Sequence, residues 1–103
     1  MSRPFSYNDE NFTVIGNVLY VHFKYEGAAE AGTRLIEIPP AICDRLLFFS
    51  NVCAAAYRKK DANAGNVILT VIDYNNKCYF SNKLAIGVGV DRRIYGTFML
   101  KDI

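Results

Sequence analysis

The chain has little with which to do chemistry. It holds one histidine, His22, and three cysteines, Cys43, Cys53 and Cys78, none in a Cys-x-x-Cys spacing. Zinc binding therefore lacks its usual signature. A general base needs a hydrogen-bonded nucleophile and an orienting acid. Glu37, Asp73 and the cysteines qualify by type, but no spacing brings them to His22. No catalytic constellation is present, no enzyme is expected, and no cofactor or metal is assigned. An odd count of cysteines among apolar neighbours reads as reduced, buried thiols.

Other absences narrow the class further. The opening M-S-R-P-F-S-Y-N-D-E has no apolar run that would serve as a signal peptide. Nowhere do about 18 apolar residues run together. A cytoplasmic protein with no membrane span is the expectation. Net charge is +2, divided as −2 over residues 1–39, +2 over 40–66 and +2 over 67–103. A dedicated nucleic-acid binder concentrates basic charge far more. There is no internal repeat, low-complexity tract or linker. With 103 residues, 51% of them hydrophobic, the sequence reads as one folded domain, 1–103.

What is present is a series of β signals. F-T-V-I (12–15) and V-L-Y-V-H-F-K-Y (18–25) flank Gly16-Asn17, a hairpin signature. R-L-I-E-I (34–38) is a third strand, stopped by Pro39-Pro40. N-V-I-L-T-V-I-D-Y (66–74) leads through Asn75-Asn76 into K-C-Y-F-S (77–81), a second hairpin. L-A-I-G-V-G-V (84–90) and R-I-Y-G-T-F-M-L (93–100) complete the set.

Between the third and fourth strands, Pro40 can open a helix, the composition from Ala41 favours one, and Ala62-Asn63-Ala64-Gly65 supplies stop residues. One long helix over 41–61 is expected. The expected fold is α+β: an antiparallel sheet in the order β-β-β-α-β-β-β-β with the helix packed on one face.

On that helix Ile42, Leu46, Phe49, Cys53, Ala56 and Tyr57 share a core-facing side, with Asp44, Asn51 and Arg58 opposite. Leu47, Phe48 and Val52 are then surplus to the core. An exposed apolar patch marks a contact site, and twofold self-association covers it with one surface. Leu47, Phe48 and Val52 are the expected partner interface, with homodimerisation through the helix or through a sheet edge.

A second reading is weak single-stranded nucleic-acid binding, with phosphate contacts from Lys59, Lys60, Arg92 and Arg93 and stacking on Tyr95, Tyr20 or Tyr79. R-I-Y-G-T-F-M-L does not reproduce an RNA-recognition strand, because Tyr95 and Phe98 point to opposite faces. Gly87-x-Gly89 lacks the third glycine and the following helix of a dinucleotide fingerprint. Bare on one side, that strand invites another backbone or a ligand.

The opening P-F-S-Y-N-D-E-N-F-T-V-I-G-N-V-L-Y-V-H-F resembles the starts of short uncharacterised proteins of tailed bacteriophages and prophages. The resemblance covers the first quarter of the chain and carries over no functional residue. It implies a viral accessory role, such as binding a host protein.

Overall fold

The computed structural model describes residues 6–47, 50–57, 63–86 and 92–101. The chain is built from strands β1 (Tyr7–Asn8), β2 (Phe12–Ile15), β3 (Val18–Tyr25) and β4 (Arg34–Ile38), a one-turn helix α1 (Pro40–Cys43), and strands β5 (Ser50–Tyr57), β6 (Asn63–Tyr74), β7 (Lys77–Asn82) and β8 (Arg92–Met99). All eight strands join one antiparallel sheet in the order β1-β2-β3-β8-β5-β6-β7-β4.

The hairpins form where the turn chemistry places them. Ile15 pairs with Val18 across Gly16-Asn17, and Gly16 takes φ +62°. Positive φ at the first central residue alone is the pattern of a type II′ turn. Tyr74 pairs with Lys77 across Asn75-Asn76, whose φ values of 52° and 63° match type I′.

The expected α+β architecture is overturned, because the described residues are nearly all antiparallel sheet and include no long helix. Pro40 does open a helix, but it lasts one turn. Beyond it Leu46 bridges Leu100, and the Leu47 N–H donates to the Met99 carbonyl at 3.0 Å. From Ser50 the chain is extended again, and residues 63–65, read as helix stops, begin β6. Residues 58–62 lie outside the described set.

The reason is tertiary. β5 is inserted between β8 and β6, so its backbone completes ladders on both sides. Its small residues suit that position: Cys53 and Ala55 are buried on the inner face, while Val52 points out. Alanine favours helix by only about 0.5–0.7 kcal/mol per residue over typical strand formers. Two satisfied ladders and a buried central position outweigh that preference.

Of the strand expected over 84–90, Ile86 forms an isolated bridge with Ala29 and Leu84 is exposed. Gly87 and Gly89 lie outside the described residues.

With only the one-turn α1 as helix among the described residues, the sheet covers itself by curling into a half-barrel. Phe80 of β7 lies 4.8 Å from Phe98 of β8 and 6.3 Å from Phe12 of β2, ring centroid to centroid. Four strands separate β2 from β7 in the sheet, so only strong curvature brings those rings together. Alternation places Leu19, Val21, Phe23, Val67, Leu69, Ile94 and Phe98 inside, and Ile42 and Leu46 add to the same core. The loop before β4 is pinned by buried Asn82, whose Nδ2 donates to the carbonyls of Glu30 and Leu84, each at 2.9 Å.

Candidate interaction face

The alternation that fills the inner face leaves the outer face to solvent. On β3 the outward residues are Tyr20, His22 and Lys24; on β8 they are Arg93, Tyr95, Thr97 and Met99; on β5 Val52 and Ala54. Register sets them side by side: Tyr20 opposite Thr97, His22 opposite Tyr95, Lys24 opposite Arg93, and Ala54 opposite Tyr95 from the other side. Val52 in turn faces Ile68 of β6.

Apolar exposure concentrates here. Val52 is 57% exposed, Leu47 47%, Tyr20 and Tyr95 46% each, and Met99 43%. Leu47 belongs to the same face, since Leu46 turns inward and the Leu47 N–H bonds to Met99. No Asp or Glu projects from this face of β3, β8 or β5 among the described residues. The cations sit at one end, where Lys24 pairs with Glu26 at 2.8 Å.

The face is concave at one end of the β5–β8 ladder. The β5–β8 ladder ends at Ala54–Tyr95, and beyond it a cleft of ≈ 380 Å³ opens between Ser50, Asn51, Thr97, Phe98 and Met99. The Asn51 side-chain amide reaches across to donate to the Thr97 carbonyl.

The expected interface residues are thus partly reunited for a different reason. Val52 is exposed on this face because strand residues alternate, and Leu47 because it follows the inward Leu46 of the Leu46–Leu100 bridge, not because a helix turns. Phe48 lies outside the described residues, as do Lys59 and Lys60. Arg92 and Arg93 part company: Arg92 is buried on the inner side and Arg93 is exposed on the outer. Tyr95 and Phe98 do point to opposite faces. Tyr79, on the other half of the sheet, has the Arg34 guanidinium 5.7 Å from its ring, while the same group stacks on Tyr74 at 3.9 Å. Met99 was missed, although period-two alternation in R-I-Y-G-T-F-M-L carries it to the side of Tyr95.

A second cluster lies where α1 meets the β6–β7 hairpin. Cys43 and Cys78 form a disulfide, which corrects the reading of three reduced thiols. Only Cys53 keeps a free thiol, and burial pushes its pKa up to about 11. Asp73 pairs with Cys78 across the hairpin, and its Oδ1 lies 3.2 Å from the Cys78 sulfur. A cavity of ≈ 160 Å³ beside them is lined by Glu37, Pro40, Asp44 and Lys77 as well as both cysteines.

No helix of the described chain is long and apolar enough to cross a membrane. No family model, no curated protein and no solved structure matches this chain.

Proposed function

We propose that this protein is a non-enzymatic interaction module that pairs with a second copy of itself through the outer face of β3, β8 and β5. The observation that carries the reading is the gathering of Tyr20, Leu47, Val52, Tyr95 and Met99 on one solvent-facing surface. An apolar centre with Lys24 and Arg93 at the rim is the anatomy of a protein interface. Twofold packing sets β8 against its own copy, so that Tyr95 meets a methionine or an aromatic ring.

The sheet edges serve self-association less well. β1 has two residues, and β4 carries a bulge between Arg34 and Ile36 and is followed by Pro39. Short strands, bulges and prolines are the devices that keep edges from pairing.

Four strands, β6 included, offer a footprint of roughly 19 Å by 25 Å at standard strand spacing. Two such faces bury about 1,000 Å², the lower limit for a specific interface. The dimer is accordingly weak and dissociates on dilution. Sedimentation velocity across a concentration series tests this. Wild type shifts from monomer to dimer, while Val52→Arg, at an exposed site where folding is undisturbed, stays monomeric. A wild type that remains monomeric at the highest concentration refutes the reading. Should it instead appear only in a mixed complex with a host protein, the face is an interface but its occupant is different.

The reading carries with it a cytoplasmic setting and an accessory role in a phage, the latter resting on the N-terminal resemblance. Single-stranded nucleic acid is the second reading, favoured by Tyr20 and Tyr95 lying on a face where β3, β8 and β5 project no carboxylate among the described residues. It is weakened by the burial of Arg92 and by the engagement of Lys24 with Glu26. Oligonucleotide binding that falls steeply with salt would revive it.

A further inference from the structure

We propose that Cys43, Asp73 and Cys78 form a thiol-gated site for a thiophilic divalent cation, closed while the disulfide stands and opened by its reduction. The three side chains come from α1, β6 and β7, and their ligand atoms all lie within 4.8 Å of one another. Zinc–thiolate bonds of about 2.3 Å and zinc–carboxylate bonds of about 2.0–2.2 Å put tetrahedral ligand atoms roughly 3.5–3.8 Å apart. Once the covalent bond is broken, the sulfurs separate to about that distance by van der Waals repulsion alone. Asp73 is already in place, fixed opposite Cys78 by the hairpin register.

The surroundings suit a cation. Glu37 and Asp44 line the adjoining cavity, and Lys77, the cation there, is drawn to Glu37 at 3.3 Å. The cavity leaves the fourth coordination position open to water. Cys43 and Cys78 are half-buried and Asp73 is exposed, so a reductant and a cation can both reach them. Two thiolates select zinc or cadmium over magnesium or calcium.

The gating step is a thiol–disulfide exchange with a dithiol reductant. The Cys43–Cys78 bond breaks, the dithiol closes to its own disulfide, and its two hydrogens pass to Cys43 and Cys78. Binding of the cation then releases those two protons. In a reducing compartment the cation would take over the disulfide's task of tying α1 to β7. The sequence hides such a site because 35 residues separate the cysteines.

The test uses the full chain, reduced with a dithiol, freed of reductant without oxygen, and titrated with Co²⁺. We expect one equivalent to bind with a near-ultraviolet thiolate-to-cobalt charge-transfer band that Zn²⁺ bleaches, and no band from the oxidised chain. Asp73→Asn should weaken binding more than the roughly 10–100-fold that loss of an outer-shell partner typically costs. Cys53→Ala should leave the band unchanged. Equal binding by the oxidised chain, no band from the reduced one, or an Asp73→Asn variant of undiminished affinity would each overturn the proposal. So would a reduced chain whose circular dichroism loses its β-sheet signal and fails to recover it with Zn²⁺.

Discussion

Gly96→Ala tests the correction of the fold at its most sensitive point. Gly96 sits on the inner side of β8, opposite Val21 of β3, with Cys53 of β5 on its other flank. A Cβ added there would lie 2.5 Å from the Cys53 sulfur, 3.0 Å from its Cβ and 3.4 Å from its Cα. Reaching ordinary contact with the sulfur needs a displacement of about 0.9 Å where β8 is paired to β3 and packed against buried Cys53 just past the end of the β5–β8 ladder. Overpacking of this kind costs about 1–3 kcal/mol, and the entropic gain of replacing glycine returns roughly 0.5–1 kcal/mol of it. A net loss of up to about 2.5 kcal/mol is expected, or a fall in Tm of up to roughly 20 °C for a domain of this size. Cys53→Ala by itself should cost about 1 kcal/mol, for the contacts of the lost sulfur. In the Cys53→Ala background the worst clash is gone, so the double variant should be more stable than the sum of the single losses by about 1 kcal/mol. Urea denaturation of all four proteins measures that coupling. Additivity within about 0.5 kcal/mol would refute the juxtaposition, and with it the placement of Cys53 on a strand beside β8.

Three further outcomes follow from the same structure. Reducing the Cys43–Cys78 disulfide, which spans 35 residues, should destabilise the chain by about 4 kcal/mol on the chain-entropy account, read as a drop in the urea midpoint with reductant. Asn82→Ala strips the buried amide that holds the carbonyls of Ala29, Glu30 and Leu84, at a cost of roughly 1–3 kcal/mol, and hydrogen exchange should quicken at the Gly32 N–H, which donates to the Asn82 carbonyl. Partial desolvation acts to raise the pKa of Asp9, but the N–H groups of Asn11 and Phe12 and the Tyr7 hydroxyl bond its charged form and hold it below the usual carboxylate range. A depressed folded pKa means that the contribution of Asp9 is complete above its unfolded value of about 3.9 and is lost as pH falls through the folded value. Wild type and Asp9→Asn should therefore differ in urea midpoint at neutral pH and converge in strong acid.

How legible the protein was depended on whether a signal was local. The two hairpin turns, the strands they join and the stop at Pro39-Pro40 were all readable, because turn chemistry and period-two alternation act within a few residues. The stretch S-N-V-C-A-A-A-Y (50–57) was not. Its alanines favour a helix in isolation, and only the open ladders of β6 and β8 on either side make it a strand. The candidate face shared that fate. Tyr95, Thr97 and Met99 could be placed on one side of one strand, but their neighbours Tyr20 and Val52 depend on a strand order in which β8 enters between β3 and β5. The meeting of Cys43 with Cys78 likewise required α1 to return to β7. Outside β5, sequence alone determined where β2, β3, β4, β6, β7 and β8 extend and where the two hairpins turn, since those choices are made by backbone dihedrals and side-chain alternation. The tertiary structure decided which strands pair, which face stays wet and which cysteines meet, because hydrogen-bond partners and curvature are properties of the assembled sheet, set by residues far apart in the chain.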